Sequence, residues 1–365
     1  MNSSSLRRIA LPAVAVLTVG LTLSACGDKN NGSGSSGGGT LNGGGATSQA
    51  NAQQTWRAGY QKANGGTINY DEVGSGTGIT NFTSKAYSFA GTDAYLTSDQ
   101  LSAAKDTCGA DPIQIPAYVS PIAVAFNLPG VTSLNLDAKT IADIFAGKVT
   151  RWNDPEIASQ NSGANLPSTA ISTVHRSDES GTTFNFTDYL NKAGDGAWPD
   201  VANTVWPAGI KEGQGLEGTS GVIGGLTDTE GAIGYADDSA VKAAGNLGVV
   251  SIEVGSAYNP PTANGAAQVL AASPPAPNQP ATSMATDIDR TATAKGDYPL
   301  MLASYLLACP SYDDATTADM VKRYLTYVVS SDGQQAAAEA AGSAPLDRSL
   351  ASKAAGIVAT ISSGS

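Results

Sequence analysis

The sequence predicts an α/β protein built on mostly parallel sheets with helices packed against them. Strand-like and helix-like runs alternate along most of the chain. Several helix-like runs carry clear start signals. The 365 residues, 41% of them apolar, suffice for one large domain or for two lobes with real cores.

The elements follow in order. Thr67 to Val73 (TINYDEV) and Tyr87 to Ala90 (YSFA) read as strands. Thr97 with Gln100 forms a capping box, which starts a helix. Ile122, Val124 and Phe126 alternate with small neighbours, the pattern of a strand buried on one face. Asp154 before Pro155 reads as a helix cap with proline at the first helical position. Ile171 to Val174 and Ala232 to Tyr235 are further short strands, and Ser273 to Pro280 (SPPAPNQP) is a loop, expected on the far side of a second lobe. Val321, Tyr324, Leu325 and Val328 share one face of a helix near the C-terminus.

Charge and composition exclude several classes. The net charge of −12 offers no basic face for nucleic acid. It also repels anions at long range, so an anion site must work through local, buried hydrogen bonds. One histidine, His175, and three cysteines leave no basis for a zinc site, and no metal or cofactor is expected. His175 is the sole possible imidazole base for a triad, lacks a serine partner in sequence, and reads as structural.

The N-terminus has the form of a secretory signal: Arg7 and Arg8, an apolar run from Ile9 to Leu23, then small residues. Leu23-Ser24-Ala25-Cys26 resembles the bacterial lipobox, which implies cleavage after residue 25 and lipid attachment to Cys26. Residues 26–40 then form a glycine- and serine-rich tether. Cys108 and Cys309 remain, an even pair in an oxidising compartment, and are expected to form a disulfide.

Gly213 to Gly218 matches G-x-G-x-x-G, but WPAGIKE before it is a poor strand, so it reads as a glycine-rich turn opening a helix. There is no P-loop, and Ser75 fails the G-x-S-x-G pattern of a nucleophile. Three other turns carry more. They are Gly43 to Ser48, Gly74 to Gly78, and Arg176 to Thr183, and each combines small residues with hydroxyls at a strand-to-helix turn. Backbone N–H groups point outward at such turns, and the helix dipole favours an anion. One such turn is an ordinary cap. Three, one of them beginning with an arginine, suggest convergence on one oxyanion.

These segments make the chain resemble the periplasmic-type phosphate-binding proteins of ABC importers, over most of its length from about Leu41. The matching pieces are Gly43 to Thr47, Gly74-Ser75, Thr92-Asp93-Ala94, Ile144 to Val149 with Trp152 to Pro155, and His175 to Asp178 with Ser180 to Thr182. The resemblance implies a two-lobed fold of type II, each lobe a mostly parallel sheet flanked by helices. The chain would cross between lobes near Ala117 to Pro121 and near Arg290 to Pro299. Residues 41–119 with 292–365 would form lobe I, and 120–291 lobe II.

It further implies that Thr47, Ser48, Ser75, Ser180, Gly181 and Thr182 donate to phosphate, that Arg176 adds charged hydrogen bonds, and that Asp178 orients Arg176. Asp93 would accept a hydrogen bond from the proton that phosphate keeps and sulfate lacks. Such a buried mismatch supports discrimination of roughly 10⁴–10⁵-fold. The family often has phenylalanine and proline where this chain has Ser48 and Gln49.

The function implied is capture of inorganic phosphate outside the cell, by a monomer anchored to the bacterial membrane, for a permease and ATPase complex. It is not an enzyme. The alternatives are a binding protein for sulfate or molybdate, an extracellular phosphatase or serine hydrolase, and a surface protein that has lost its ligand.

Overall fold

The computed structural model describes residues 38–364. The signal segment, Cys26 and most of the tether lie outside the described residues. The chain opens with β1 (Thr40–Gly45), α1 (Ala50–Asn64), β2 (Thr67–Asp71), α2 (Ser75–Thr83), β3 (Phe89–Thr92) and α3 (Ser98–Cys108). The middle comprises β4 (Ile113–Phe126), β5 (Ser133–Leu136), α4 (Ala138–Phe145), α5 (Pro155–Gln160), β6 (Ser172–Arg176), α6 (Gly181–Ala193) and β7 (Gln214–Leu216). It continues with α7 (Gly218–Asp228), β8 (Ala232–Asp237), α8 (Asp238–Ala244), β9 (Gly248–Val254), β10 (Ala257–Asn259) and α9 (Ala263–Ala272). The chain then returns as β11 (Met301–Ala308) and ends with β12 (Ser311–Tyr312), α10 (Ala315–Val329), α11 (Ser331–Ala341), α12 (Arg348–Val358) and β13 (Ser362–Ser363).

One curled sheet runs β2-β1-β3-β11-β4-β8-β6-β7, with β9 also on β4 and with β5 and β10 on β9. Pairing in the flanks is parallel for β1 with β2 and β3, β6 with β7 and β8, and β5 with β9, and antiparallel for β9 with β10. The two middle strands, β4 and β11, run antiparallel to each other and to the strands they meet in each flank. This α/β architecture is the expected one.

The alternation at Ile122, Val124 and Phe126 predicts one buried face, but all of β4 is buried. The small residues between the large ones, Ala123 and Ala125, pack into a second cluster with Val174, Val222 and Leu226 on the other face. β4 meets β11 over Ile113–Pro121 and β8 over Ile122–Phe126, so it changes partner within one strand. Two prolines sit inside it, which is unusual for a central strand. Pro116 lies at the bulge that leaves Ala117 unpaired opposite the Ser304–Tyr305 step, and Pro121 lies at the change of partner.

The helix signals behave as expected. Thr97 and Gln100 form the capping box of α3, and Asp154 caps α5 with Pro155 at its start. Val321, Tyr324, Leu325 and Val328 are the buried face of α10. The strand expected at Tyr87 to Ala90 lies two residues later, because Tyr87 turns outward to donate its hydroxyl to Asp71 Oδ2 (2.8 Å). Ser273 to Pro280 is a loop, yet it does not lie on the far side of the middle region. Gln279 Nε2 donates to Leu96 O (3.1 Å), and Met284 N, just beyond, donates to Gln114 O (2.8 Å).

Cys108 and Cys309 are bonded, with Cα atoms 5.2 Å apart. The bond joins the end of α3 to the residue after β11. Among the described residues no helix is long and apolar enough to cross a membrane.

Candidate functional site

Three strand-to-helix turns meet at the middle of the sheet. The first follows β1, where a 3-10 turn, Thr47–Gln49, leads into α1. Gly45 has φ +141°, and a Cβ there would lie 2.0 Å from Gly91 O, so only glycine permits this approach to β3. The second turn is Gly74, at φ +83°, which opens α2; its N–H donates to Gly45 O (2.9 Å) and ties the two turns together. The third lies between β6 and α6. Ser180 caps α6 by accepting from Thr183 N (3.2 Å), and its own N–H donates to Thr204 O (2.8 Å). The hydroxyl proton of Ser180 remains to be donated.

Asp93, just after β3, sits where these turns converge and is 3% exposed. Its N–H donates to Ser75 Oγ (3.2 Å). Its Oδ1 accepts from Ser48 Oγ (2.6 Å) and Ser304 Oγ (2.5 Å), and its Oδ2 accepts from Thr182 Oγ1 (3.1 Å). A carboxylate offers about four acceptor sites, so room remains for one more donor. Burial pushes the carboxyl above its usual range, opposed by the three hydroxyls and by the charge of Arg176.

Arg176 ends β6 and is 2% exposed. Asp178 binds it in a two-point clamp, with Nε to Oδ1 at 2.7 Å and Nη2 to Oδ2. The fork geometry fixes the plane of the guanidinium. Burial pushes the Asp178 carboxyl up, but the hydrogen bonds and charge of Arg176, with the N–H of Gly218, hold it below the usual carboxylate range. A Cβ on Gly74 would lie 2.5 Å from Asp178 Oδ2 and 3.6 Å from Arg176 Nη2, so the clamp sits directly against the second turn.

Ser48, Ser75, Asp93, Gly181 and Thr182 come together directly. A Cβ on Gly181 would lie 2.7 Å from Asp93 Cβ and 2.8 Å from Ser75 Oγ. Arg176 and Asp178 adjoin them at Gly74. Thr47 stands to one side, its hydroxyl paired with Thr219 Oγ1 (2.8 Å) and accepting from Thr219 N (3.2 Å). His175 stacks on Trp206 at 4.4 Å between centroids, and its Nδ1 lies 2.9 Å from Arg176 O, which is a structural role.

Four supporting residues escaped the sequence reading. Ser304 is the one small polar residue within the apolar and aromatic run of β11, and that isolation is a usable signal. Asn185, one turn into α6, donates to Asp93 O (2.7 Å) and Gly181 O (2.8 Å). Gly218 opens α7 and donates to Asp178 Oδ1 (3.0 Å), so the set-aside glycine motif supports the arginine clamp. Tyr235 accepts from Arg176 N (3.3 Å) and shares a hydrogen bond with Thr183 Oγ1 (2.7 Å).

The arrangement can hold a small anion by donors from helix starts and one guanidinium, against one fixed acceptor. No cluster of three or more His, Cys, Asp or Glu suited to a metal ion occurs among the described residues. A separate cleft of about 470 Å³, lined in part by Asp137, Tyr189, Glu253 and Pro299, contains none of the converging residues.

Fold and site together define a solute-binding protein of the two-lobed α/β kind. The profile of the PBP superfamily domain matches residues 30–332. The phosphate-binding protein PstS2 of Mycobacterium bovis (strain BCG / Pasteur 1173P2) is 35% identical over 366 residues, covering 96% of this chain and 98% of its own. The phosphate-binding protein PstS 3 of Mycobacterium tuberculosis (strain ATCC 25618 / H37Rv) is 36% identical over 330 residues, covering 86% and 88%. In fold, the chain is similar to the phosphate-binding protein of Stenotrophomonas maltophilia, with TM-score 0.68 at 20% identity over 87% of this chain and 93% of that one. The chain belongs to the PBP superfamily and, within it, to the family of these phosphate-binding proteins.

Proposed function

We propose that this chain captures inorganic phosphate outside the cytoplasm and delivers it to an ABC-type phosphate importer. It is a binding protein and not an enzyme, as its family is. The observation that carries the ligand reading is Asp93, a buried acceptor that holds the Ser48, Ser304 and Thr182 hydroxyls, keeps one acceptor site open, and lies beside Ser75, the start of α6 at Gly181 and the Arg176 clamp. Phosphate near neutral pH brings both acceptor oxygens and a proton, so it satisfies donors and acceptor together. Sulfate and molybdate bring no proton and leave Asp93 facing an oxygen.

In this reading the oxyanion lies between two lobes. Lobe I is residues 41–119 with 292–365, and lobe II is 120–291. Ser48, Ser75 and Asp93 reach the ligand from the first lobe, with Thr47 at the edge of that set where Thr219 engages its hydroxyl, and Arg176, Ser180, Gly181 and Thr182 reach it from the second. Asp178 occupies Nε and Nη2 of Arg176, which leaves Nη1 for the anion. The lobes close over the ligand by hinge motion. The mature protein is a monomer anchored through lipid on Cys26, two acyl chains being sufficient for stable attachment.

Calorimetric titration of phosphate-stripped protein tests the reading. Phosphate is expected to bind tightly and sulfate to compete only at far higher concentration. A folded, stripped sample that ignores phosphate sinks the assignment. A second test is Gly181→Ala. The added methyl has no room between Asp93 and Ser75. Overpacking of about 1–3 kcal/mol should weaken phosphate by roughly ten- to a hundredfold and lower the melting temperature by about a few degrees. Unchanged affinity would place the ligand elsewhere.

A further inference from the structure

The side chain of Gln49 is wholly buried beside the converging turns. It belongs to a line of hydrogen bonds that ends on Asp93. Tyr324 Oη donates to Gln53 Oε1 (2.6 Å), and Gln53 Nε2 donates to Gln49 Oε1 (2.8 Å). Gln49 Nε2 donates to Ser304 Oγ (2.6 Å), and Ser304 Oγ donates to Asp93 Oδ1 (2.5 Å). The direction is forced by the chemistry. Gln49 Nε2 also faces the carbonyl of Tyr305 at 3.2 Å, which can only accept, so the amide nitrogen belongs on that side. Because the Ser304 oxygen receives an N–H, its own proton is free to go to Asp93. Every donor points the same way, and Asp93 Oδ1 is the terminal acceptor.

We propose that Gln49 is a positioning residue for anion selectivity: acting through Ser304, it holds Asp93 as an acceptor, so that the site demands an anion that carries a proton. This rests on the reading that phosphate sits against Asp93. A proton on Oδ1 would meet the hydroxyl hydrogens of both Ser304 and Ser48. Without Gln49, no N–H pins the Ser304 oxygen, its hydroxyl is free to turn toward the carbonyl of Thr92, 3.4 Å away, and its hydrogen bond to the carboxylate weakens.

The other groups around Asp93 do not replace that donor. Arg176 contributes its charge from β6, and Thr182 donates from α6 to the opposite oxygen. Tyr70 of β2 is kept neutral by burial and spends its hydroxyl on Ala46 O (3.0 Å). The Arg290–Asp188 pair (2.9 Å) lies behind Asn185, which touches only the backbone oxygen of Asp93. Loss of a hydrogen bond to the charged form raises a carboxyl pKa. Asp93 without the Gln49 line therefore takes up its proton at a higher pH than the intact protein. Once protonated it can donate to sulfate, and discrimination fails.

The test uses the full chain as wild type, Gln49→Met, Ser304→Ala and the double variant. Phosphate and sulfate affinities are measured from about pH 5 to about pH 8.5, and the Asp93 carboxyl is titrated by carbon-13 NMR without ligand. In Gln49→Met, the pH below which sulfate competes should rise by about one unit, as should the Asp93 midpoint. The double variant should shift no further than Ser304→Ala, because both act on one line. Phosphate affinity at the top of the pH range, which reports folding, should fall by less than about tenfold. An Asp93 midpoint equal in Gln49→Met and wild type, or a double shift equal to the sum of the singles, overturns the proposal. Wild-type protein that binds no phosphate overturns the reading beneath it, and the ligand-free Asp93 titration separates that failure from a failure of the Gln49 line.

Discussion

Arg176→Met is expected to weaken phosphate binding by about two to three orders of magnitude. The guanidinium is buried and already held in plane by Asp178, so its contribution to an anion is preorganised. Truncating one partner of a buried, hydrogen-bonded charge pair costs about 2–5 kcal/mol, and each 1.4 kcal/mol is tenfold in affinity. The substitution also leaves Asp178 a half-buried carboxylate with the Gly218 N–H but no cation, at a cost below the roughly 3–5 kcal/mol of a fully buried broken pair. Arg176→Met combined with Asp178→Asn separates the two effects. The pair should recover melting temperature without recovering affinity. Titration calorimetry with thermal unfolding on the three proteins decides it, and near-wild-type affinity in Arg176→Met would remove the arginine from the site.

Asp93→Asn should leave phosphate bound but collapse the preference over sulfate, by about a hundredfold or more out of roughly 10⁴–10⁵. An asparagine oxygen can still accept from protonated phosphate, while its NH₂ can donate to sulfate, which the carboxylate cannot. Acid should imitate the mutation. Burial raises the Asp93 carboxyl above its usual range, so selectivity is complete while the group is ionised and is lost as pH falls through its raised pKa. The mutant should show no such pH dependence of its sulfate affinity. Competition titrations across pH on both proteins test the two statements together. A mutant that still rejects sulfate would mean that size or donor count, rather than Asp93, sets the choice.

Much of this architecture was legible in the residues. Caps such as Thr97 with Gln100 and Asp154 with Pro155 are local chemistry, and local chemistry is written in adjacent positions. The three hydroxyl-rich turns were visible for the same reason. Contacts made across the sheet were not. Ser304 reaches Asp93 from a strand 211 residues away, and Gly218 reaches Asp178 from 40 residues away. No spacing rule reports such pairs. β4 shows a different limit. Its alternation of large and small residues reads as one wet face, but the alanines were small because a second apolar layer packs there. Its two prolines argue against a central strand until the bulge and the change of partner explain where the missing N–H groups fall.

That same strand is where the proposed hinge would have to bend. Where one half of the sheet gives way to the other, the backbone is a bonded ribbon, with Ile122 N held by Leu300 O (2.9 Å) beside Pro121. The proline ring has one narrow range of φ, so the ribbon can bow but cannot swivel freely. If the two lobes close as proposed, this narrowed backbone at Pro121 limits the paths that closure can take. On that reading the donors of the two lobes would meet in one register, and less of the binding energy would be lost to ordering them.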